Sequence, residues 1–153
     1  MTADTGLTER ERHAWQGFLR MQSEVLARLA RRLHQESGLS GSDYEVLLNL
    51  SEAPEGRLRA FEIGAATQWE KSRLSHHLTR MAQRGLIERQ PCADDSRYAN
   101  VVLTDAGRAA IVEAAPLHAA HVRALFLDGL TPDQLDALAE IAGATLDHLD
   151  KQG

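Results

Sequence analysis

Apolar residues recur every three or four positions over the first quarter of the chain. They follow Thr8 and Glu11, which have the S/T-x-x-E spacing of a capping box, and they stop before Gly38. The positions are Trp15, Phe18, Leu19, Val25, Leu26, Leu29 and Leu33. The spacing predicts one helix near residues 9–36. Its apolar stripe is long for a protein of 153 residues, so we expect part of it to pack against another subunit.

Shorter elements follow this first helix. Ser40 and Asp43 predict the start of a second helix, which should end before Pro54. The sequence APEG, from residue 53 to residue 56, is typical of a turn. After it, residues 57–59 are long enough for a very short strand.

Two helices in close succession are predicted near residues 60–67 and 70–84. Only Gln68 and Trp69 separate them, which is the spacing of a helix-turn-helix. Gly85 ends the second of the two helices.

The next segment has the alternation of a β-hairpin. Residues 86–90 and 98–103 are predicted strands on either side of the polar sequence PCADDS. Thr104 then caps an alanine-rich helix in which Pro116 should produce a kink or an interruption.

The last helix has a complete start signal. Thr131 is the expected N-cap, Pro132 occupies the first helical position, and Gln134 completes a capping box. The helix should run to about Leu149.

Charge is distributed unevenly along the chain. The formal net charge is −5, which excludes a general polycation but not a local basic surface. Between Arg57 and Arg97 there are eight basic and five acidic residues, whereas the rest of the chain has nine basic and seventeen acidic residues. The middle of the chain is therefore the part expected to face an anion.

Composition excludes several other classes of protein. A hydrophobic content of 43% and a charged content of 25% indicate a globular chain. Cys92 is the single cysteine, so an intrachain disulfide is impossible and a cytoplasmic location is expected. The N-terminus lacks a signal core, and we expect no membrane-spanning run. The motifs of nucleophilic, P-loop and zinc enzymes are also missing, so we expect no enzymatic activity.

The helix near residues 70–84 has an apolar side and an unusual polar side. Leu74, Leu78 and Met81 share one side, and His77 lies at its edge as a packing residue. The opposite side has cations and hydroxyls but almost no acids. We expect it to contact DNA in the major groove, where arginine pairs with guanine and hydroxyls contact bases or phosphates. The expected contact residues are Lys71, Ser72, Arg73, Ser75, His76, Thr79 and Arg80.

The alternative for this helix is an ordinary solvated surface. Its neighbours favour the DNA interpretation, because a basic helix, a preceding short helix and a following hairpin form one arrangement. In the hairpin, Arg97 has the position and charge to enter a minor groove, and we expect Asp95 to orient it.

Two stretches resemble the MarR family of winged-helix transcriptional regulators. They are RGLIER at residues 84–89 and DDSRYANVVLTDAGR at residues 94–108. The wing of that family commonly has the sequence D-x-R, then three residues, then V-x-L-T. The helix that follows has a glycine near its start. The matching residues here are Asp95, Arg97, Val101, Leu103, Thr104 and Gly107. Ser96, where a second arginine is frequent, and Thr67 and Trp69, where aliphatic residues are common, depart from the family pattern.

The resemblance implies a mainly helical fold with a small β-hairpin wing. It implies one MarR-like domain over residues 1–153, with a winged helix-turn-helix at 40–103 and dimerisation helices at 8–38 and 104–150. It further implies a homodimeric regulator that binds a palindromic site on double-stranded DNA, with Arg97 at the wing tip. We expect a repressor; a scaffold that binds another protein without binding DNA specifically is the alternative.

The resemblance also suggests control by a small aromatic or anionic effector, with no bound cofactor. Trp15 and Tyr44 are the candidate ligand residues, although each is also a natural packing residue. Cys92 near Arg89 has the setting of a reactive thiol, but the chain has no second cysteine to resolve an oxidised one. His118 and His121 have a chelating spacing without an obvious third ligand, so no metal site is expected.

Overall fold

The computed structural model describes residues 6–90 and 99–153, and it confirms the mainly helical fold with a small sheet. The elements are α1 (Glu9–Ser37), α2 (Gly41–Glu52), β1 (Arg57–Arg59), α3 (Ala60–Thr67), α4 (Lys71–Gln83), β2 (Ile87–Gln90), β3 (Asn100–Leu103), α5 (Asp105–Leu125) and α6 (Pro132–Gln152). The chain forms two compact units. One unit comprises residues up to Leu29 together with Ala119–Gly153, and the other comprises Ala30–His118.

Three helices begin at reciprocal capping boxes that the sequence predicts. In α2, the amide of Asp43 donates to the Ser40 hydroxyl at 3.0 Å, and the Ser40 amide donates to the Asp43 carboxylate at 2.9 Å. These bonds satisfy amides that have no partner inside the helix. The capping pairs are Thr8 with Glu11, Ser40 with Asp43 and Thr131 with Gln134.

Helix α5 contains Pro116 and continues without a break to Leu125, so the predicted interruption is wrong. A proline inside a helix deprives the carbonyl four residues earlier of its donor. Here that carbonyl belongs to Val112, a residue that is 67% exposed. Water therefore has access to this turn of the helix, which lowers the cost of the missing bond.

One helical stretch, Asp105–Gly129, has the length and mean hydropathy of a membrane-crossing helix, contrary to the expectation from sequence. Its high alanine content and few charges account for this value. Ile111 and Ala114 of this stretch are nevertheless part of the core of the second unit. Such packing is typical of a helix in a globular domain.

The unit at Ala30–His118 contains the sheet and the central core. The strands are antiparallel in the order β1-β3-β2, with Arg89 opposite Val101 in the β2–β3 pair. Apolar side chains from α2, α3 and α4 pack with this sheet. The members without any exposed surface are Val46, Leu47, Leu50, Ile63, Leu78, Met81 and Val101. This core fixes the position of α4 in the unit.

The other unit has a different surface. Among the described residues, α6 has no buried side chain at all. Four of its large aliphatic residues are exposed, and so are several apolar residues of α1. They are Leu135, Ile141, Leu146 and Leu149 in α6, and Trp15, Phe18, Leu19, Met21 and Leu26 in α1.

Candidate nucleic-acid interface

Helix α4 has a buried side and an exposed polar side. Leu74, His77, Leu78 and Met81 are buried, which confirms His77 as a packing residue. The seven residues predicted to contact DNA are all exposed on the other side. They are Lys71, Ser72, Arg73, Ser75, His76, Thr79 and Arg80. Within the described part of the chain, none of the three cations in this set has a carboxylate partner within 4.0 Å.

The turn before α4 leaves amide groups available at the start of the helix. Gln68 ends α3 in the left-handed conformation, with a φ of 59°. Thr67 donates its hydroxyl to the Ile63 carbonyl at 2.8 Å and accepts from the Trp69 amide at 3.4 Å. Glu70 is the N-cap of α4, but its side chain makes no capping hydrogen bond. Free amides at a helix N-terminus, together with the helix dipole, favour binding of a phosphate.

Trp69 connects the exposed and buried sides of α4. The guanidinium of Arg73 lies over the indole ring, 4.5 Å from its centroid. The ring also contacts His77 edge-on, at 5.5 Å between centroids. The cation–π contact limits the rotamers of Arg73 while its nitrogen atoms remain available for other hydrogen bonds. The tryptophan that departs from the family pattern therefore has a structural role beside a predicted DNA-contact residue.

Arg89 ties β2 to α4, a role that the sequence did not reveal. One of its terminal nitrogens donates to the Thr79 hydroxyl at 2.9 Å and to the Ser75 carbonyl at 3.3 Å. The Thr79 hydroxyl in turn donates to the same carbonyl at 2.9 Å. Arg89 thus adds a cation next to the exposed side of α4. Only its position in the predicted strand that follows the helix hinted at this function.

A cavity of about 200 Å³ lies between α3, α4 and β2. Its walls are mainly apolar and include Phe61 and Trp69. Lys71, Ser75 and Arg89 supply its polar atoms. The cavity therefore combines aromatic surface with two cations.

The buried carboxylate of Asp43 contacts α4 from α2. One oxygen accepts from Nη1 of Arg84 at 2.7 Å, and the other lies 3.0 Å from Nε2 of His77. The Asp43 side chain is only 2% exposed. Burial, the largest single influence, raises the pKa of Asp43. The Arg84 hydrogen bond, the Ser40 amide and the charges of Arg84 and His77 outweigh it, so the net pKa is lowered.

The predicted wing contacts lie outside the described residues. Arg97, Asp95 and Cys92 belong to the stretch between Gln90 and Ala99 that the structure does not describe. Their predicted roles stay predictions.

The two candidate effector residues belong to different compact units. Trp15 is 52% exposed and stacks on Phe18, with 5.7 Å between the ring centroids. Tyr44 lies 4.4 Å from the ring of His118, and burial together with the charge of Glu52 raises its pKa. In the described ranges, no three His, Cys, Asp or Glu side chains, including those of His118 and His121, are arranged to bind a metal ion.

The short helix pair α3–α4, followed by the antiparallel β2 and β3, defines a winged helix-turn-helix protein. Residues 37–97 match the MarR family. Over nearly its whole length the chain is similar to AbsC, a MarR family transcriptional regulator from Streptomyces coelicolor. The two are 37% identical with a TM-score of 0.85, over 95% of this chain and 97% of AbsC. The chain belongs to the MarR family.

Two further relatives agree with this assignment. Sco3205, a MarR family regulator from Streptomyces coelicolor whose structure was solved in complex with DNA, is 32% identical with a TM-score of 0.85, over 94% of this chain and 93% of Sco3205. The HTH-type transcriptional repressor YetL of Bacillus subtilis (strain 168) is 23% identical over 112 residues. That match covers 73% of this chain and 66% of YetL, just under two thirds of the relative's length.

Family membership establishes the general function. The protein is a DNA-binding transcriptional regulator of the winged-helix type. Regulators of this family are not enzymes, which confirms the prediction made from the missing catalytic motifs.

Proposed function

We propose that α4 is the helix that enters the major groove of the operator, and that Arg97 of the wing contacts the adjacent minor groove with Asp95 as its orienting partner. The observation that carries this proposal is the exposed side of α4. It has cations and hydroxyls without carboxylate partners among the described residues. The proposed contact residues are Lys71, Ser72, Arg73, Ser75, His76, Thr79, Arg80 and Arg97.

The contacts within the structure distinguish the members of this set. Arg73 and Arg80 have free donors for base edges, whereas the Thr79 hydroxyl already bonds to Arg89 and to the Ser75 carbonyl. Thr79 therefore acts mainly by fixing the guanidinium of Arg89 beside α4. Lys71 lies at the first helical position, beside the free amides, and suits a phosphate.

The protein acts as a homodimer on a palindromic site. The exposed apolar residues of α1 and α6 support this, because a 21-residue helix without a buried side chain is not stable as a lone surface element. The regions assigned to dimerisation are residues 8–38 and 104–150, and residues 40–103 bind DNA. Two copies of α4 would then contact half-sites about 34–36 Å apart, one turn of DNA.

The regulator represses transcription, acts in the cytoplasm, and is released from DNA by a small aromatic or anionic effector. The name of the relative YetL supports repression. Trp15 and Tyr44 remain the candidate effector residues. The cavity beside α4 is a second candidate, because it offers Phe61 and Trp69 for stacking and Lys71 and Arg89 for an anion.

Selection of bound sequences from random DNA tests the proposal, followed by affinity measurements with Arg73→Ala and Arg80→Ala. Loss of an arginine that contacts a base should cost about 1–3 kcal/mol and relax the preference at that position. Affinity should also fall steeply with salt, because phosphate contacts release counterions. Lys151→Ala, at the end of α6, is the matched control. Failure to select any site, with salt-insensitive binding, would favour a scaffold that binds another protein.

A further inference from the structure

Arg80 contacts the buried polar group behind α4. Its Nη2 atom lies 3.3 Å from Nδ1 of His77, one turn earlier on the same helix. On the other side of the imidazole, Nε2 lies 3.0 Å from a carboxylate oxygen of Asp43. A chain of three side chains thus links α2 to an exposed cation of α4.

The two neighbours of His77 determine where its proton lies. A guanidinium has donors but no acceptor, so the Nδ1 atom that faces Arg80 has to be the unprotonated one. A carboxylate has acceptors only, so the Nε2 atom that faces Asp43 has to carry the proton. Both contacts therefore require the same neutral tautomer of His77. Nε2 and the Asp43 oxygen are buried without any other partner among the described residues, although their approach departs from ideal hydrogen-bond geometry.

We propose that His77 is a positioning residue for Arg80. In this role its neutral ring, oriented by Asp43, accepts a hydrogen bond from Arg80 and sets the direction in which the guanidinium meets DNA. This inference rests on the proposed role of α4 in the major groove. Arginine has five N–H donors, so the bond to His77 leaves enough of them for a bidentate contact with a base. Fixing a flexible side chain before binding also lowers the entropy lost when DNA arrives.

Protonation of His77 would remove this acceptor. The new N–H on Nδ1 would face the Arg80 cation, so the hydrogen bond would be lost and the charges would repel. The groups that face the ring are the Asp43 carboxylate from α2, Arg80 and Arg84 of α4, and the indole of Trp69. Burial lowers the pKa of His77, the positive charges of Arg80 and Arg84 lower it further, and Asp43 opposes them. The net lowering keeps the ring neutral at pH 7.

Two substitutions at position 77 separate positioning from packing. In His77→Gln, the amide nitrogen takes roughly the place of Nε2 and still donates to Asp43, but the acceptor for Arg80 is gone. In His77→Asn, the amide oxygen takes roughly the place of Nδ1 and still accepts from Arg80, but the contact with Asp43 is gone. His77→Gln should therefore keep the stability of the fold and lose DNA affinity. His77→Asn should lose stability and keep DNA affinity.

The test measures operator affinity and thermal stability for both variants, for Arg80→Ala, and for the double variant His77→Gln/Arg80→Ala. We expect His77→Gln to bind at least about fivefold more weakly, the lower end of the effect of a base contact, and to add nothing to Arg80→Ala. We expect His77→Asn to remain within about twofold of the parent protein, a difference near the limit of such measurements. If the less stable of the two variants is also the one that binds DNA more weakly, His77 contributes only through packing.

Two other results overturn the proposal. Unchanged binding by His77→Gln would show that the contact between His77 and Arg80 contributes nothing to DNA affinity. Tighter binding would show that this contact holds Arg80 away from DNA. Additive losses in the double variant would show that His77 acts independently of Arg80. An Arg80→Ala variant with normal affinity would instead refute the proposed groove contact itself, so the two failures can be told apart.

The pH dependence gives a readout that packing would not change. The pH series uses the His76→Gln background, in which His77 is the only histidine of α4. Because the pKa of His77 is lowered, affinity should stay constant through the ordinary histidine value of 6.5 and fall only at the lower pH where His77 becomes protonated. Adding Arg80→Ala should abolish that fall. A fall that persists without Arg80 would overturn the proposal.

Discussion

Arg84, just after the last residue of α4, donates a 2.7 Å hydrogen bond to the buried carboxylate of Asp43, 41 positions earlier in the chain. The same carboxylate caps α2 through the Ser40 amide. One side chain therefore fixes the start of α2 and the end of the helix that is proposed to contact DNA. The Arg84 side chain is 46% exposed, so water still solvates part of its charge. The Asp43 carboxylate, by contrast, is removed from water, because its side chain is only 2% exposed.

Replacement of Asp43 should lower stability more than replacement of an exposed acid. Asp43→Ala removes a helix cap and leaves Arg84 and His77 without their carboxylate, for which we expect a loss of about 2–4 kcal/mol. Urea unfolding at fixed protein concentration measures this loss. Glu24→Ala is the matched control, because Glu24 pairs with Arg20 on an exposed helix surface and should contribute nothing measurable. Equal effects of the two substitutions would contradict the role assigned to Asp43.

Only part of this arrangement could be predicted from the sequence. The capping boxes and the pair α3–α4 were predictable because they depend on residues three or four positions apart. The Asp43–Arg84 pair was not, because nothing local relates residues 41 positions apart. The interruption predicted at Pro116 was wrong for a related reason: the exposure of Val112, which depends on the packing of the whole helix, decides how much the missing hydrogen bond costs.

The candidate site shows the same division. Helical periodicity correctly assigned the exposed side of α4 and the buried position of His77. It could not assign the contact of Arg80 with His77, or the bonds from Arg89 to Thr79, because these depend on rotamers and on the return of β2 alongside α4. The local sequence around Arg89 does not distinguish it from the other arginines of the chain, because its contact with α4 appears only once β2 is placed beside that helix.

Stability should depend on pH through His77 and Asp43. Burial and neighbouring cations lower the pKa of His77 below 6.5, so the unfolded chain binds more protons there and stability falls as the pH drops from about 6.5. The lowered pKa of Asp43 adds stability that persists above its ordinary value of 3.8 and is lost at still lower pH. Thermal unfolding between pH 8 and pH 3, measured at intervals of about half a pH unit, would resolve both losses of stability. In His77→Gln the first loss should disappear, and its persistence would assign it to another group.

Close packing at the start of α5 leaves no room for a side chain at Gly107. A Cβ atom there would clash with the Leu86 carbonyl oxygen and would lie 2.8 Å from Leu103 Cδ1. Gly107→Ala should therefore destabilise the protein by about 2–3 kcal/mol, since backbone has to move. Gly17→Ala in α1, with nothing within 4 Å of the added atom, should instead stabilise by about 0.5–1 kcal/mol. Denaturant unfolding of the two variants checks that their stability changes have opposite signs. Changes of the same sign would contradict the close packing at Gly107.

The exposed apolar residues of α6 should be needed for dimerisation. Ile141 is 64% exposed, and burial of such a side chain in an interface contributes about 1.5–3 kcal/mol. Because a twofold interface contains it twice, Ile141→Asp should weaken the dimer by at least about 100-fold, as measured by sedimentation velocity over a range of concentrations. Phe61→Ser is the control, because Phe61 is 49% exposed but belongs to the unit that contains the sheet. A parent protein that sediments as a monomer throughout, or an Ile141→Asp variant that dimerises normally, would rule out this interface.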